Sequence, residues 1–243
     1  MGGVADTLII DPRYCGPRSL GHGGYFAGLL APAISNTTEV TLRSPIPVGA
    51  PINVSSSETG VTAYTLAGTL IAETVGVEAA LTPCPTVSLP SARLSEARSH
   101  ELPHHNVECF ACGRRRPSHD GLGLTPGETG AGIVACTWTP KIEFSATTDF
   151  VSPEFAWAAL DCPGAYALPT PNMVMLGRIT ASLCGPIRLL EPHVVCARLS
   201  KQLGPRFFTD SAIYTASGEL RAMAHSIWFE VSPERWSDML ASA

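Results

Sequence analysis

One acidic residue in an apolar stretch is the strongest candidate for chemistry in this chain. Asp161 directly follows residues 155–160, Phe-Ala-Trp-Ala-Ala-Leu. Burying a carboxylate without a partner is costly, so an acid in such a segment indicates a functional role. A dry site would raise the pKa of Asp161, which suits a general base. The alternative is an exposed or capping Asp near a helix end, before Pro163-Gly164.

The second candidate is the segment His22-Gly23-Gly24-Tyr25, which precedes an apolar stretch. Backbone N–H groups at a helix start lack intrahelical partners and lie at the positive end of the helix dipole. They can therefore donate to a carbonyl oxygen that gains negative charge. We predict that residues 22–25 contact substrate, chiefly through the backbone of Gly23 and Gly24. Close packing of the helix is the alternative role of these glycines, and His22 is expected to be structural or exposed.

These two candidates occupy matching places in an internal repeat. Residues 22–31 align with residues 152–161. Asp161 in the second copy therefore aligns with Ala31 in the first, and only the first copy has His-Gly-Gly. Further along, one spacing relates four pairs of residues: Tyr64 and Tyr214, Gly68 and Gly218, Leu70 and Leu220, Ala72 and Ala222. The sequence therefore predicts a duplicated unit whose halves contribute different parts of one site.

Each copy predicts one helix followed by strands. The predicted helices are residues 25–34 and 155–165, and the predicted strands are 40–43, 52–57, 61–66, 70–75, 179–183, 193–199, 211–215 and 220–229. We expect an α+β double hotdog: two antiparallel sheets, each wrapped round one long helix, forming a pseudo-dimer within one chain. The two units are expected to join edge to edge, which covers edge strands that would otherwise be exposed. The predicted units are residues 1–82 and 105–243, and the Pro-, Ser- and Ala-rich residues 83–104 are predicted to be a linker.

Composition excludes several classes of protein. The chain has 243 residues, 45% of them hydrophobic, with a formal net charge of −5 and only two lysines among its sixteen basic residues. No long basic face results, so nucleic acid is not an expected partner. The apolar runs are too short for a membrane span, and no signal peptide is recognisable. Eight cysteines in apolar surroundings indicate free thiols in a reducing cytoplasm.

Two motifs resemble known families of one superfamily. The first is Gly-Gly-Tyr-x-Ala-x-Leu-Leu at 23–30 followed by Val-Thr-Leu-Arg-x-Pro-x-Pro at 40–47. It resembles the acyl-CoA thioesterase-like proteins, in particular the double-hotdog thioesterase II type. The second is Cys109-Phe110-Ala111-Cys112-Gly113 with Gly121-Leu122-Gly123-Leu124, which resembles the opening of single-hotdog thioesterases.

The resemblance implies an acyl thioester hydrolase that acts on acyl-CoA or an acyl carrier without a cofactor. Asp161 would be its base or nucleophile. The resemblance also implies further association of the chain into a homo-oligomer, which is common among proteins of this architecture. The thioesterase II type also uses a Thr and a Gln, where this chain has Leu176 (or, with a shift, Thr180) and Ser226 beside His225. A non-catalytic acyl-binding or acyl-CoA-binding protein is therefore the alternative. A hotdog hydratase or dehydratase is less favoured, because its Asp-x-Asn-Pro-x-His signature is not found.

Three other groups of residues have competing explanations. Cys109 and Cys112, with His104, His105 and His119 nearby, suggest zinc, but no second cysteine pair follows and the histidines lack zinc-finger spacing. The sequence thus predicts a structural turn and no metal. Arg114-Arg115-Arg116 suits the phosphates of coenzyme A, although a solvated loop is the simpler interpretation. Trp138, Trp157 and Trp228 are predicted core residues that could also line an acyl tunnel.

Overall fold

The computed structural model describes residues 5–31, 37–78, 80–102, 106–117, 120–145 and 149–241. The strands are β1 Ala5–Ile9, β2 Thr37–Leu42, β3 Pro51–Ser56, β4 Val61–Thr65, β5 Leu70–Gly76, β6 Gly127–Glu128, β7 Ile133–Trp138, β8 Val174–Leu183, β9 His193–Leu203, β10 Arg206–Thr215 and β11 Leu220–Glu230. The helices are α1 Gly23–Leu30, α2 Leu89–Glu96, α3 Pro153–Tyr166 and α4 Pro233–Ala241. Within these ranges, no helix has the length and apolar character needed to cross a lipid bilayer.

The described strands form one continuous antiparallel sheet, not the two sheets predicted from the sequence. The strand order is β1-β3-β4-β5-β2-β8-β11-β10-β9-β7-β6. Strands β2 and β8 pair from Thr37–Ser182 to Thr41–Arg178 and so join the two halves. This pairing satisfies backbone N–H and C=O groups that would otherwise form two exposed sheet edges. The predicted α+β class is confirmed, with the two sheets corrected to one.

The two halves of the sheet have the same strand order when each is followed from its outer edge to the β2–β8 junction at the centre. The first runs β1-β3-β4-β5-β2 and the second β7-β9-β10-β11-β8, with β6 outside it. The hairpin turns also match: Gly68 N–H donates to Thr65 O and Gly218 N–H to Thr215 O, each at 2.9 Å. Both glycines have positive φ, 84° and 87°, a conformation that glycine adopts without strain. This is the arrangement expected of a duplicated unit.

Helices α1 and α3 pack closely against each other beneath one face of the sheet. A Cβ atom at Gly24 would lie 2.6 Å from Asp161 Cβ, and one at Gly28 would lie 2.5 Å from Glu154 Cα. These two glycines are one helical turn apart, so they leave one stripe of α1 without side chains. The close-packing role considered for the glycines of α1 is therefore present in the structure.

The segment predicted as a linker, residues 83–104, contains a helix that packs on the outer face of the sheet. Ala92 of α2 is fully buried, and Ser95 Oγ donates to the carbonyl oxygen of Ala135 in β7 at 2.8 Å. Only these two residues of α2 are buried, which explains why the sequence shows little apolar periodicity there. The unit boundaries at residues 82 and 105 stay predictions.

Candidate active site

Asp161 lies in the third turn of α3 and is only 4% exposed. Its Oδ2 accepts a hydrogen bond of 2.7 Å from the backbone N–H of Gly24 at the start of α1. Burial raises the pKa of the Asp161 carboxyl above its ordinary value, while the nearby His22 ring and the Gly24 N–H act in the opposite direction. The acid is therefore buried, accepts a hydrogen bond from a backbone donor, and has a higher pKa than an exposed aspartate.

His22 caps the N-terminus of α1. Its Nδ1 accepts a hydrogen bond of 3.2 Å from the Tyr25 N–H, and the ring is 2% exposed. The same Nδ1 lies 3.5 Å from Asp161 Oδ2, and Nε2 lies 3.2 Å from Cys162 Sγ. Of the two roles expected for His22, structural or exposed, the structure shows a buried residue with structural contacts.

A cavity of about 560 Å³ opens beside Asp161 between the two halves of the chain. Its walls are mainly apolar, and they include Leu42 of β2, Leu176 of β8 and Phe229 of β11. His22, Gly23 and Asp161 all line this cavity, whereas Gly24 does not, so the two strongest sequence candidates meet at one place. An apolar cavity with a few converging polar groups is typical of a site for a small ligand.

Helix α4 also lines the cavity, a contribution that the sequence analysis did not predict. Arg235, Trp236 and Met239 contribute to the wall. The spacing of Trp236 and Met239, three residues apart, places both on one helical face, which is the available sequence signal. Trp228 is buried and lines the cavity too, whereas Trp138 and Trp157 are buried without lining it.

Tyr25 is not among the residues that line the cavity. Its ring stacks on Tyr14 at a centroid distance of 4.1 Å and contacts Phe155 and Phe110. Burial is the largest cause of a raised pKa at the Tyr25 hydroxyl, with Tyr14 next. In this structure Tyr25 is thus part of an aromatic cluster beside the site.

The positions expected for the Thr and Gln of the thioesterase II type hold other groups. Leu176 lines the cavity with an apolar side chain. Thr180 Oγ1 donates to Glu39 Oε2 at 3.4 Å, and His225 Nδ1 lies 2.9 Å from Asp210 Oδ1. Thr180, Ser226 and His225 do not line the cavity. At the expected positions, Asp161 therefore has neither the Thr nor the Gln that the thioesterase II type uses.

The arginine run at 114–116 does not line the Asp161 cavity. Arg116 donates to Asp120 and to the carbonyl oxygens of Glu108 and Arg13, so it fastens neighbouring loops. Arg114 and Arg115 are exposed, as expected of a solvated loop. The basic residues that do line the cavity are Arg43 and Arg235.

The predicted turn at Cys109–Gly113 is present and carries two buried thiols to the site. Gly113 N–H donates to the Cys109 carbonyl at 2.8 Å, and Cys109 Sγ lies 3.5 Å from Cys162 Sγ. Hydrogen bonds from Cys112 and Cys162 lower the pKa of the Cys109 thiol well below its usual value. The histidines considered with this motif, His104, His105 and His119, lie outside the described residues.

Three solved structures match this architecture over nearly the whole chain. The tesB protein of Mycobacterium avium subspecies paratuberculosis is 12% identical with a TM-score of 0.60, covering 93% of this chain and 92% of its own. A provisionally assigned thioesterase of Novosphingobium aromaticivorans is 11% identical with a TM-score of 0.60, covering 93% and 95%. A provisionally assigned thioesterase II of Thermobifida fusca is 13% identical with a TM-score of 0.54, covering 93% of each chain. The chain has the thioesterase II-like double-hotdog fold.

The double-hotdog fold predicted from the sequence motifs is thus confirmed by structure. No protein-family model matches the chain, and no curated protein matches it in sequence. Within the double hotdog, α1 belongs to the first half and α3 to the second. The contact of Gly24 with Asp161 therefore joins the two halves at the candidate site.

Proposed function

We propose that this double-hotdog chain hydrolyses an acyl thioester, with Asp161 as the general base. The observation that carries the proposal is the hydrogen bond from Gly24 N–H to Asp161 Oδ2 at the wall of an apolar cavity. Burial raises the pKa of the Asp161 carboxyl above its ordinary value, which makes its carboxylate a stronger base.

The two oxygens of Asp161 have different tasks in this proposal. Oδ2 is held by the Gly24 N–H, which fixes the orientation of the carboxylate. Oδ1 takes a proton from the attacking water as the water oxygen bonds to the thioester carbon. The tetrahedral intermediate then collapses, the C–S bond breaks, and the proton passes from Asp161 to the departing sulfur. The products are a carboxylic acid and a free thiol.

The Gly23 N–H is the proposed donor to the oxyanion of the intermediate. The other first-turn donors are engaged: Gly24 N–H with Asp161, and Tyr25 N–H with His22. Among the described residues, Gly23 N–H has no hydrogen-bond partner, and Gly23 lines the cavity. A backbone donor at a helix N-terminus also brings the positive end of the helix dipole to the developing charge.

The lining of the cavity favours an acyl group joined to an anionic carrier. Leu42, Leu176 and Phe229 offer apolar surface to the acyl chain. Arg235 and Arg43, the latter paired with Glu73, bring guanidinium groups to the cavity wall, and such groups suit the phosphates of coenzyme A or of an acyl carrier. We therefore propose acyl-CoA or acyl-carrier thioesters as the substrate class.

A non-catalytic acyl-binding protein is the second candidate. It is favoured by one observation, that Leu176 lies at the cavity wall where the resemblance places a Thr. Such a protein would gain thermal stability from a long-chain acyl-CoA without consuming it.

The test is hydrolysis of short, aromatic and long acyl-CoAs, followed by loss of the ultraviolet absorbance of the thioester. A thiol reagent is less suitable because the exposed Cys184 would react with it. We expect Asp161→Asn to lower the rate by about 10²–10⁴-fold, the usual contribution of a general base. Glu154→Gln is the matched control, since Glu154 is on the same helix but does not line the cavity. Equal rates for wild type and Asp161→Asn would contradict the role of Asp161. Binding without turnover would favour the second candidate.

A further inference from the structure

Four buried metal-ligand side chains meet beside the cavity. Cys109 and Cys112 come from one turn, Cys162 from α3, and His22 from the start of α1. Their exposed fractions are 2% for Cys109 and His22 and 8% for Cys112 and Cys162. A buried imidazole needs polar partners, and the thiols of Cys162 and Cys109 provide them on one side of the His22 ring.

The ligand atoms are close enough to surround a single ion. His22 Nε2 lies 3.2 Å from Cys162 Sγ, and Cys162 Sγ lies 3.5 Å from Cys109 Sγ. The donor atoms of these three residues are all within 4.8 Å of one another. Cys112 is outside this group of three, but its thiol interacts with both Cys109 and Cys162, so it is the nearest candidate for a fourth ligand.

These distances are near those of a tetrahedral zinc site. Bonds of about 2.3 Å to sulfur and about 2.0–2.1 Å to nitrogen place tetrahedral donors about 3.5–3.8 Å apart. The observed 3.2 Å and 3.5 Å require an expansion of only a few tenths of an ångström. We propose that His22, Cys109, Cys112 and Cys162 bind one zinc ion.

The donor set decides both the metal and its role. Three sulfurs and one imidazole nitrogen in a buried site select zinc over the oxygen-preferring Mg²⁺ and Ca²⁺. Four protein ligands leave no open position for water or substrate, which is the arrangement of a structural site. The ion therefore does not take part in the proposed hydrolysis. It fastens the Cys109–Cys112 turn, α1 and α3 to one another, and so links the two halves.

The proposal also assigns the protons of the His22 ring. Since Nε2 faces Cys162, Nε2 is the metal ligand, and the ring proton resides on Nδ1. In this structure Nδ1 accepts from the Tyr25 N–H and lies 3.5 Å from Asp161 Oδ2. Zinc binding through Nε2 would end the Tyr25 hydrogen bond, and a small shift of the His22 ring would let Nδ1–H donate to the carboxylate. A carboxylate behind a metal-bound histidine orients the ring. Asp161 then has a positioning role toward His22 that is separate from its proposed chemistry.

The proposed site differs from the sequence-based prediction of no metal. That prediction depended on the missing second cysteine pair and on the spacing of nearby histidines. The remaining ligands come instead from distant parts of the chain: Cys162 is 53 positions from Cys109, and His22 is 140 positions from Cys162. No local spacing rule could have connected them.

The test is metal content of the full chain, purified under reducing conditions from zinc-supplemented medium and measured by mass spectrometry of the elements. We expect about one zinc ion per chain in the wild type. Cys109→Ser and Cys162→Ser should each lower this below about one tenth, because three ligands hold zinc much more weakly. Cys196→Ala is the matched control: Cys196 is buried in a separate cluster with Cys84, and zinc should stay at the wild-type level.

A second measurement avoids dependence on variants that fail to fold. Wild-type protein refolded with Co²⁺ should show sulfur-to-cobalt charge transfer and the visible bands of a tetrahedral Co²⁺ ion. Zinc should displace the cobalt and remove both signals. Wild-type protein that lacks metal and gives no cobalt spectrum would overturn the proposal, as would a disulfide between Cys109 and Cys112 or Cys162. Neither readout depends on thioester hydrolysis, so the two proposals can fail independently.

Discussion

The side chains of Asp161 and His22 lie next to each other at the start of α1, so the orientation of one restricts the orientation of the other. Oδ2 of Asp161 lies 2.7 Å from Gly24 N and 3.5 Å from His22 Nδ1. The hydrogen bond from the Gly24 N–H holds the carboxylate in one orientation, which a base requires. The other nitrogen of His22 faces Cys162, so the ring lies between the proposed acid and the proposed metal.

Gly24 is the residue where this geometry is most sensitive to a single methyl group. A Cβ there would lie 2.6 Å from both Asp161 Cβ and Trp157 O, and a backbone carbonyl cannot move aside cheaply. We expect Gly24→Ala to lower the free energy of unfolding by about 1–3 kcal/mol, the usual cost of overpacking. Urea unfolding followed by circular dichroism measures the change.

Gly16→Ala is the matched control for this substitution. A Cβ at Gly16 would meet His22 Cα at 3.5 Å and Gly21 O at 3.7 Å, which is ordinary van der Waals contact. Its unfolding free energy should stay within about 0.5 kcal/mol of the wild type. Equal midpoints for Gly24→Ala and Gly16→Ala would show that α1 and α3 have more room than their contacts indicate.

At the scale of elements, helix α2 packs on the sheet although its amino-acid composition does not predict a buried face. It covers a small apolar cluster on the outer face of the sheet, which includes Ile133, Val194 and Ala212. Gly127 in β6 makes the contact possible, since a Cβ there would lie in collision with the Ser95 carbonyl. The helix therefore belongs to the packed structure of the second half.

We expect Ala92→Glu to detach α2 from the sheet. Ala92 is fully buried, and a carboxylate in its place would lose its hydration without gaining a partner. The substitution should cost about 1–3 kcal/mol and open residues 80–102 to proteolysis. Leu94→Glu is the control, because Leu94 is 73% exposed and its variant should remain uncut. Cleavage of both variants at the same rate would mean that α2 is not docked in solution.

At the scale of the whole molecule, the two halves share one core as well as one sheet. Val40 and Ile71 of the first half belong to the same buried cluster as Ile179 and Trp228 of the second. The β2–β8 ladder adds backbone hydrogen bonds across the junction. Neither half buries its apolar surface without the other, so the chain should behave as one cooperative unit.

This predicts a single unfolding transition in which both halves lose structure together. All four tryptophans lie after residue 137, so tryptophan fluorescence reports the second half, whereas circular dichroism reports the whole chain. The two midpoints in urea should coincide. A circular dichroism signal that persists beyond the fluorescence transition would show that the first half unfolds separately. Further association into a homo-oligomer stays a prediction, which sedimentation of the same sample can measure.

The local patterns of the sequence predicted most of the elements and the fold. Period-two alternation and the glycine turns at Gly68 and Gly218 gave both hairpins, because strand and turn preferences act over a few residues. The repeat of 22–31 in 152–161 placed the two central helices, with the first beginning at Gly23 rather than Tyr25. It also singled out Asp161 and the glycines of α1 as the groups to bring together.

Only the tertiary structure decided how these parts meet. Edge-to-edge joining of the units was expected, but only the structure identified β2 and β8 as the strands that pair and showed that the described strands form one continuous sheet. Helix α4 entered the cavity wall, and α2 covered the outer face, through contacts that local patterns do not encode. The meeting of His22 with Cys109, Cys112 and Cys162 depends on side chains packed to within a few ångströms across up to 140 positions. Sequence spacing specifies which residue types are available, whereas close packing of the helices determines which of them share one site.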